Sequence, residues 1–221
     1  MTEASSMTDR ETRTIALALD GYADLPPGKI ANVVTYLERE PPETALPPSP
    51  GFAIHAIEQP SVAWYRDLYR RIGENWLWFS MAVMPDEKVA AILAAPTTTV
   101  LAYERDGIAM GLAELSFARS GEVEIVMFGV VPEATGTGAA RALMHAALNR
   151  AIRPDVARVW LHTCTFDHPA AVHFYRSRGF RAYKFAIEVS DDPRLTGHLP
   201  KAAARHVALI DPASATSRGS A

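Results

Sequence analysis

Apolar positions along the chain recur with two periods, and the changes between them mark out the elements. Residues 52–58 alternate as a strand does. After Pro60, Val62, Tyr65, Leu68, Tyr69 and Ile72 fall at helical spacing, and Gly73 ends the run. Residues 75–84 are apolar without a period. Residues 86–94 predict a second helix, with Asp86 and Glu87 at its electropositive start and Pro96 just beyond its end. Strands follow at 99–105 and 108–117, joined by Asp106-Gly107, a two-residue hairpin signal. Ser120-Gly121 then turns into a strand over 122–131. Ala140, Leu143, Met144, Ala147, Leu148 and Ala151 line one face of a helix over 136–151. A strand over 158–165 precedes a short helix over 169–178, with Pro169 in its first turn and Gly179 past its end. Residues 180–189 form the last strand.

The order β-α-α-β-β-β-α-β-α-β predicts a mixed α/β fold: one domain with a central mixed sheet of about six or seven strands and helices on both sides. The unbroken βαβ alternation of a doubly wound dinucleotide fold is absent. Five of the 16 prolines crowd residues 41–50, which reads as a semi-rigid linker. It sets off an N-terminal extension, 1–50, with a strand over 29–38 and disorder over 1–13, from a body over 51–190. Residues 191–221 read as a polar, alanine-rich tail with one apolar patch at 207–210.

Composition narrows the classes. With 221 residues, 48% hydrophobic and 21% charged, the chain can bury a core without disulfide or metal staples. A net charge of −3 argues against a broad nucleic-acid surface. The single cysteine, Cys164, excludes an internal disulfide and a multi-cysteine zinc site, and no metal is expected. No apolar run approaches the ~18 residues of a membrane span, and residues 1–13 lack the apolar core of a signal peptide. The expectation is a cytoplasmic protein that uses neither membrane nor nucleic acid.

The chemistry concentrates in Val130 to Leu143, where a strand gives way to a glycine-rich turn and a helix. Free N–H groups at a helix start, approached closely through glycine, cradle phosphates. A nucleotide P-loop needs Lys-Ser or Lys-Thr after its last glycine, and Ala139-Ala140 stands there instead. A dinucleotide fingerprint needs a third glycine, and Arg141 occupies that position. The segment instead resembles motif A of the GNAT superfamily of acyl-CoA-dependent N-acetyltransferases, written Q/R-x-x-G-x-G/A. Gly138 and Ala140 match its last two positions, while Thr135 replaces the usual Gln or Arg. Downstream, Asp167-His168-Pro169-Ala170-Ala171, Phe174-Tyr175 and Gly179-Phe180 resemble the family ending N-x-x-A-x-x-F-Y-x-x-x-G-F, with His168 in the Asn slot.

This resemblance covers about residues 51–190. It implies transfer of acetyl from acetyl-CoA to an amine of a small molecule or amino acid by direct attack. Two other readings stay open: a non-catalytic acyl-CoA sensor and a peptide or protein acetyltransferase. Cofactor contacts are expected from Thr135, Gly136, Thr137, Gly138, Ala139 and Ala140, with His168 at the pantetheine. Phe128, Gly129 and Val130 are expected at a bulge whose backbone binds the pantetheine arm. Tyr175 is the implied acid for the thiolate and Glu124 the implied base, with Glu122, Glu114 or a water chain as alternatives. Asp167 or His168 would cap the short helix. Trp76, Trp78 and Glu114 are expected to contact the acceptor. A homodimer is left open.

Overall fold

The structure is a computed structural model that describes residues 16–212; the disorder expected for 1–13 lies outside the described residues. Seven strands form one sheet: β1 (Lys29–Arg39), β2 (Ala53–Ile57), β3 (Thr98–Arg105), β4 (Ile108–Ser116), β5 (Glu122–Val130), β6 (Arg158–Cys164) and β7 (Arg181–Asp191). Their spatial order is β2-β3-β4-β5-β6-β1-β7. Every neighbouring pair is antiparallel except β5–β6, which is parallel. The mixed α/β sheet of the sequence reading is present.

The helices are α1 (Val62–Gly73), α2 (Ser80–Val83), α3 (Asp86–Ala94), α4 (Ala139–Arg150) and α5 (Ala171–Ser177). Strand alternation sends successive side chains to opposite faces, so two cores form. Leu112 on β4 and Val100 on β3 pack under Tyr65, Leu68 and Ile72 of α1 and Val89 of α3. Ala113 and Leu115, one position along, pack under Leu143, Met144 and Leu148 of α4. Helix α1 starts where Ser61 Oγ accepts the Trp64 N–H at 3.2 Å, an N-cap bond. Helix α4 begins at Ala139, three residues later than the periodicity suggested. Gly136 and Gly138 both have positive φ, 77° and 96°, which a right-handed helix cannot contain.

Two segments that the sequence set apart are packed into the sheet. Strand β1 pairs with β7 over Lys29–Glu38 on one side and with β6 over Val34–Arg39 on the other, so the strand of the N-terminal extension is an interior member. Beyond β7, Leu199, Ala203 and Ala204 are buried against Ile30 and Leu77. A fully buried ion pair holds this C-terminal segment: Arg194 donates to both carboxylate oxygens of Asp192 at 3.0 and 2.7 Å, and to the carbonyls of Val207 and Ala208. No described helix is long and apolar enough to cross a membrane.

Candidate active site

Strands β5 and β6 pair only over Glu122–Glu124 and Arg158–Trp160. Beyond Glu124 they part, and β5 keeps hydrogen bonds to β4 alone. The opening leaves the β6-facing backbone of residues 126–130 without a partner strand. At its upper end β5 runs through Val131 into a 3-10 turn, Pro132–Ala134, and then into the glycine turn.

That turn is fixed internally and leaves backbone donors free. Thr137 Oγ1 donates to the Ala134 carbonyl at 2.8 Å and accepts the Ala139 N–H at 3.3 Å, which fixes the loop from within. The N–H groups of Gly136, Gly138, Ala140 and Arg141 make no hydrogen bond among the described residues. They sit at the positive end of a twelve-residue helix. A groove lined by these glycines continues to Phe174, Arg141 and Arg178. Neither arginine is among the cofactor contacts expected from the sequence, because Arg141 follows the last defined position of the first motif and Arg178 falls on an undefined position of the second. Their signal is geometric, one guanidinium from α4 and one just after α5 flanking the same groove.

Tyr175 is placed by a ring cluster. Phe128 of β5 stacks on Phe174 with centroids 5.7 Å apart, and Tyr175 meets Phe128 edge-on at 6.1 Å and Phe180 at 6.1 Å. Its hydroxyl makes no hydrogen bond among the described residues. Burial, and then the negative charge of Asp167, push its pKa up. The phenol therefore stays protonated at neutral pH.

The other face of the opening is spanned by Trp78. A Cβ on Gly129 would lie 2.5 Å from Ile72 Cγ2 and 3.2 Å from Trp78 Cη2, so β5 passes directly beneath the indole. At its far side the indole Nε1 donates to Asp167 Oδ1 at 2.8 Å, just past β6. Tyr69 packs against the ring at 5.4 Å. The preceding residue, Leu77, adopts a left-handed conformation (φ 54°) that turns Trp78 inward, and its own side chain is buried. Trp76 points instead to the rim, between His168 at 5.0 Å and His206 at 5.4 Å.

Two local expectations are corrected. The irregularity in β5 falls between Ile125 and Met127, opposite Leu115 and Glu114, and not at Phe128–Val130. Phe128 and Gly129 are regular partners of Ala113 and Leu112, and Gly129 is needed for close approach of Ile72 and Trp78. Neither Asp167 nor His168 caps α5, whose N-cap is Ala170. Asp167 instead accepts from Trp78, from Thr163 Oγ1 at 2.5 Å and from the Cys164 N–H at 3.1 Å. The exposed His168 takes the Ala170 N–H on Nδ1 and presents its ring to Trp76.

The two carboxylates also part company. Glu124 is half-buried on the α1 face at the foot of the opening. Burial raises its pKa, Arg119 opposes this, and Glu122 adds to it. Glu114 is only 1% exposed and accepts a short hydrogen bond from the Tyr65 hydroxyl, which makes it a packing residue under α1 in this structure. Burial raises its pKa, the Tyr65 bond opposes, and Glu124 adds a smaller push. Above the unfolded carboxylate value of about 4.3, the native state keeps a proton that the unfolded chain gives up. Native stability is therefore lost as pH rises through this window. Glu114→Gln keeps an acceptor for Tyr65 but does not ionise. Urea unfolding should show the variant gaining on wild type as pH rises above about 4.3; parallel pH curves would overturn that account.

No group of three or more His, Cys, Asp or Glu among the described residues is arranged to hold a metal ion. The acetyltransferase (GNAT) family model matches residues 57–180. Uncharacterised N-acetyltransferases of Mycobacterium bovis and of two Mycobacterium tuberculosis strains are each 33% identical over 103 residues, 47% of this chain and 65% of theirs. The match thus spans a little under two thirds of those relatives. Among solved structures, a conserved Staphylococcus epidermidis protein of unknown function superposes with a TM-score of 0.57 at 16% identity, covering 75% of this chain and 64% of its own. A GCN5-related N-acetyltransferase from Sphaerobacter thermophilus gives 0.51 at 16% identity, covering 75% and 52%. At this identity the two structures speak for the fold.

Proposed function

The chain belongs to the GNAT acetyltransferase family, and from that premise we propose that it transfers acetyl from acetyl-CoA to the amine of a small molecule or amino acid. The observation that carries this reading is the opening between β5 and β6, with free backbone donors at one end and the Tyr175 ring packed edge-on against Phe128 of β5. The N–H groups of Gly136, Gly138 and Ala140 would hold the pyrophosphate, with Arg141 and Arg178 beside it. The unpaired backbone of residues 126–130 would take the pantetheine amides.

In this arrangement the acceptor nitrogen attacks the thioester carbonyl carbon and the C–S bond breaks. Tyr175 gives its proton to the departing sulfur. The nitrogen's surplus proton leaves toward Glu124, whose raised pKa brings it closer to working pH. Glu124→Gln should lower kcat/KM at least tenfold and remove the acidic limb of its pH profile. An unchanged limb would leave proton removal to water.

The indole of Trp78 and the packed C-terminal segment narrow the α1 side, which favours a compact acceptor over an extended peptide. Trp78→Phe removes the bond to Asp167 and should raise the acceptor KM several-fold while the acetyl-CoA KM changes little. Equal rises in both would remove Trp78 from the acceptor wall.

Thermal unfolding with acetyl-CoA, CoA and NAD tests the premise directly. A ligand at 100 times its Kd adds about 2.7 kcal/mol of stability. A shift with the CoA species, followed by thiol release with members of an amine panel, supports the proposal. A shift without turnover of any amine returns the sensor reading, and no shift defeats the site.

A further inference from the structure

Strand β7 ends the sheet. Its only strand partner is β1, and residues 181–190 make no other backbone hydrogen bond among the described residues. It is eleven residues long, with no proline or glycine to blunt it, and its one irregularity lies near its start, at Tyr183. On the face shared with α4, β7 and its neighbour expose an apolar stripe. Val33, Phe185, Ile187 and Val189 are 43%, 70%, 49% and 40% accessible. Sequence outside residues 16–212 offers only Met1, Met7 and Ile15 as large apolar side chains.

The order of side chains along β7 is complementary to itself in reverse. Centred on Ala186, an antiparallel copy sets Lys184 opposite Glu188 and Phe185 opposite Ile187, with Arg181 and Asp191 at the outer ends. Paired positions share a face, so Lys184 and Glu188 meet on the Tyr36 side and the apolar side chains meet on the α4 side. Within one chain these charges are already held in place against β1. Lys184 lies 3.8 Å over the Tyr36 ring, Glu188 Oε2 accepts from Asn32 at 2.9 Å, Arg181 pairs with Glu38 and Asp191 with Lys29. Shifting the centre by two residues to Glu188 would place like charges opposite each other, while centring on Ile187 leaves Lys184 facing Ser190.

We propose that β7 pairs with β7 of a second copy of this chain, antiparallel and centred on Ala186, to make one continuous fourteen-stranded sheet across a two-fold axis. Each backbone group along the edge gains a partner, and Phe185 packs on Ile187 of the other copy. Lys184 and Glu188 form two symmetric ion pairs.

Sedimentation equilibrium of the full chain over the micromolar range should give twice the monomer mass. Lys184→Glu puts like charges opposite each other twice and should weaken association about tenfold or more. Adding Glu188→Lys restores opposite charges at both places and should restore the dimer. The register has its own test. With Cys164 replaced by Ser, Ala186→Cys faces its own copy at about 4.5–5.5 Å between Cβ atoms, near disulfide reach, and should cross-link under mild oxidation. Lys184→Cys, which faces Glu188, should not. A monomer throughout the range overturns the proposal. So does a dimer that resists Lys184→Glu and forms no Ala186→Cys cross-link, because its interface would then lie on another face.

Discussion

Replacing Tyr175 by Phe should lower kcat by about two to four orders of magnitude, the usual span for one positioned acid, and leave the acetyl-CoA KM nearly unchanged. The ring cluster around Phe128, Phe174 and Phe180 contacts the phenyl body, so the substitution keeps the packing and removes only the oxygen. That oxygen has no protein partner among the described residues, so its loss strands no buried group and should cost little stability. Steady-state kinetics with a good and a poor thiol leaving group give the sharper check. The poor leaving group should suffer more, since it depends more on the donated proton. Equal turnover for wild type and variant would take the acid role from Tyr175.

Replacing Asp192 by Ala should be among the most destabilising single changes in the molecule. Arg194 and Asp192 are each only 2% exposed, and the guanidinium grips the carboxylate through two nitrogens. Removing the anion leaves a buried, unpaired cation, a defect of about 3–5 kcal/mol. Replacing the pair together by Leu and Met should recover much of that loss. A urea midpoint unmoved by Asp192→Ala would refute the account. The pair also carries a pH dependence. Burial opposes ionisation of Asp192, but the hydrogen bonds from the Arg194 side chain and backbone outweigh it and leave the pKa lowered. The stabilisation is present above the unfolded aspartate value of about 3.9 and is lost as pH falls through the lower native value.

What could be read from the residues alone was local. Helix α3 has the predicted bounds because Asp86, Glu87 and Pro96 mark its ends independently of packing. The β3–β4 hairpin follows from Asp106-Gly107, both at positive φ. The glycine turn was legible because few backbones can present free N–H groups in that way. The sheet position of β1 was not. Its alternation says strand, but nothing in residues 29–39 names partners more than a hundred positions away. Trp78 is expected from the sequence to contact the acceptor, but its bond to Asp167 depends on the left-handed turn at Leu77, which a leucine does not advertise. Asp167 looked like a helix cap because it precedes Pro169, and tertiary donors claimed it instead. Glu114 reads as an ordinary strand carboxylate until α1 closes over it with Tyr65.

The place of β1 has a consequence for the order in which the molecule can be assembled. Of the seven strands of this sheet β1 is made first, and both its neighbours, β6 and β7, are made last. Strands β2 to β5 pair with sequence neighbours and can associate as they emerge. Residues 29–39 must wait for residue 164 before one edge can be covered and for residue 191 before the other can. Such long-range pairing slows folding and prolongs exposure to aggregation. The slowest refolding step should therefore be insertion of β1 between β6 and β7. During translation, this early strand is where a chaperone would find the longest-lived unpaired segment of the sheet.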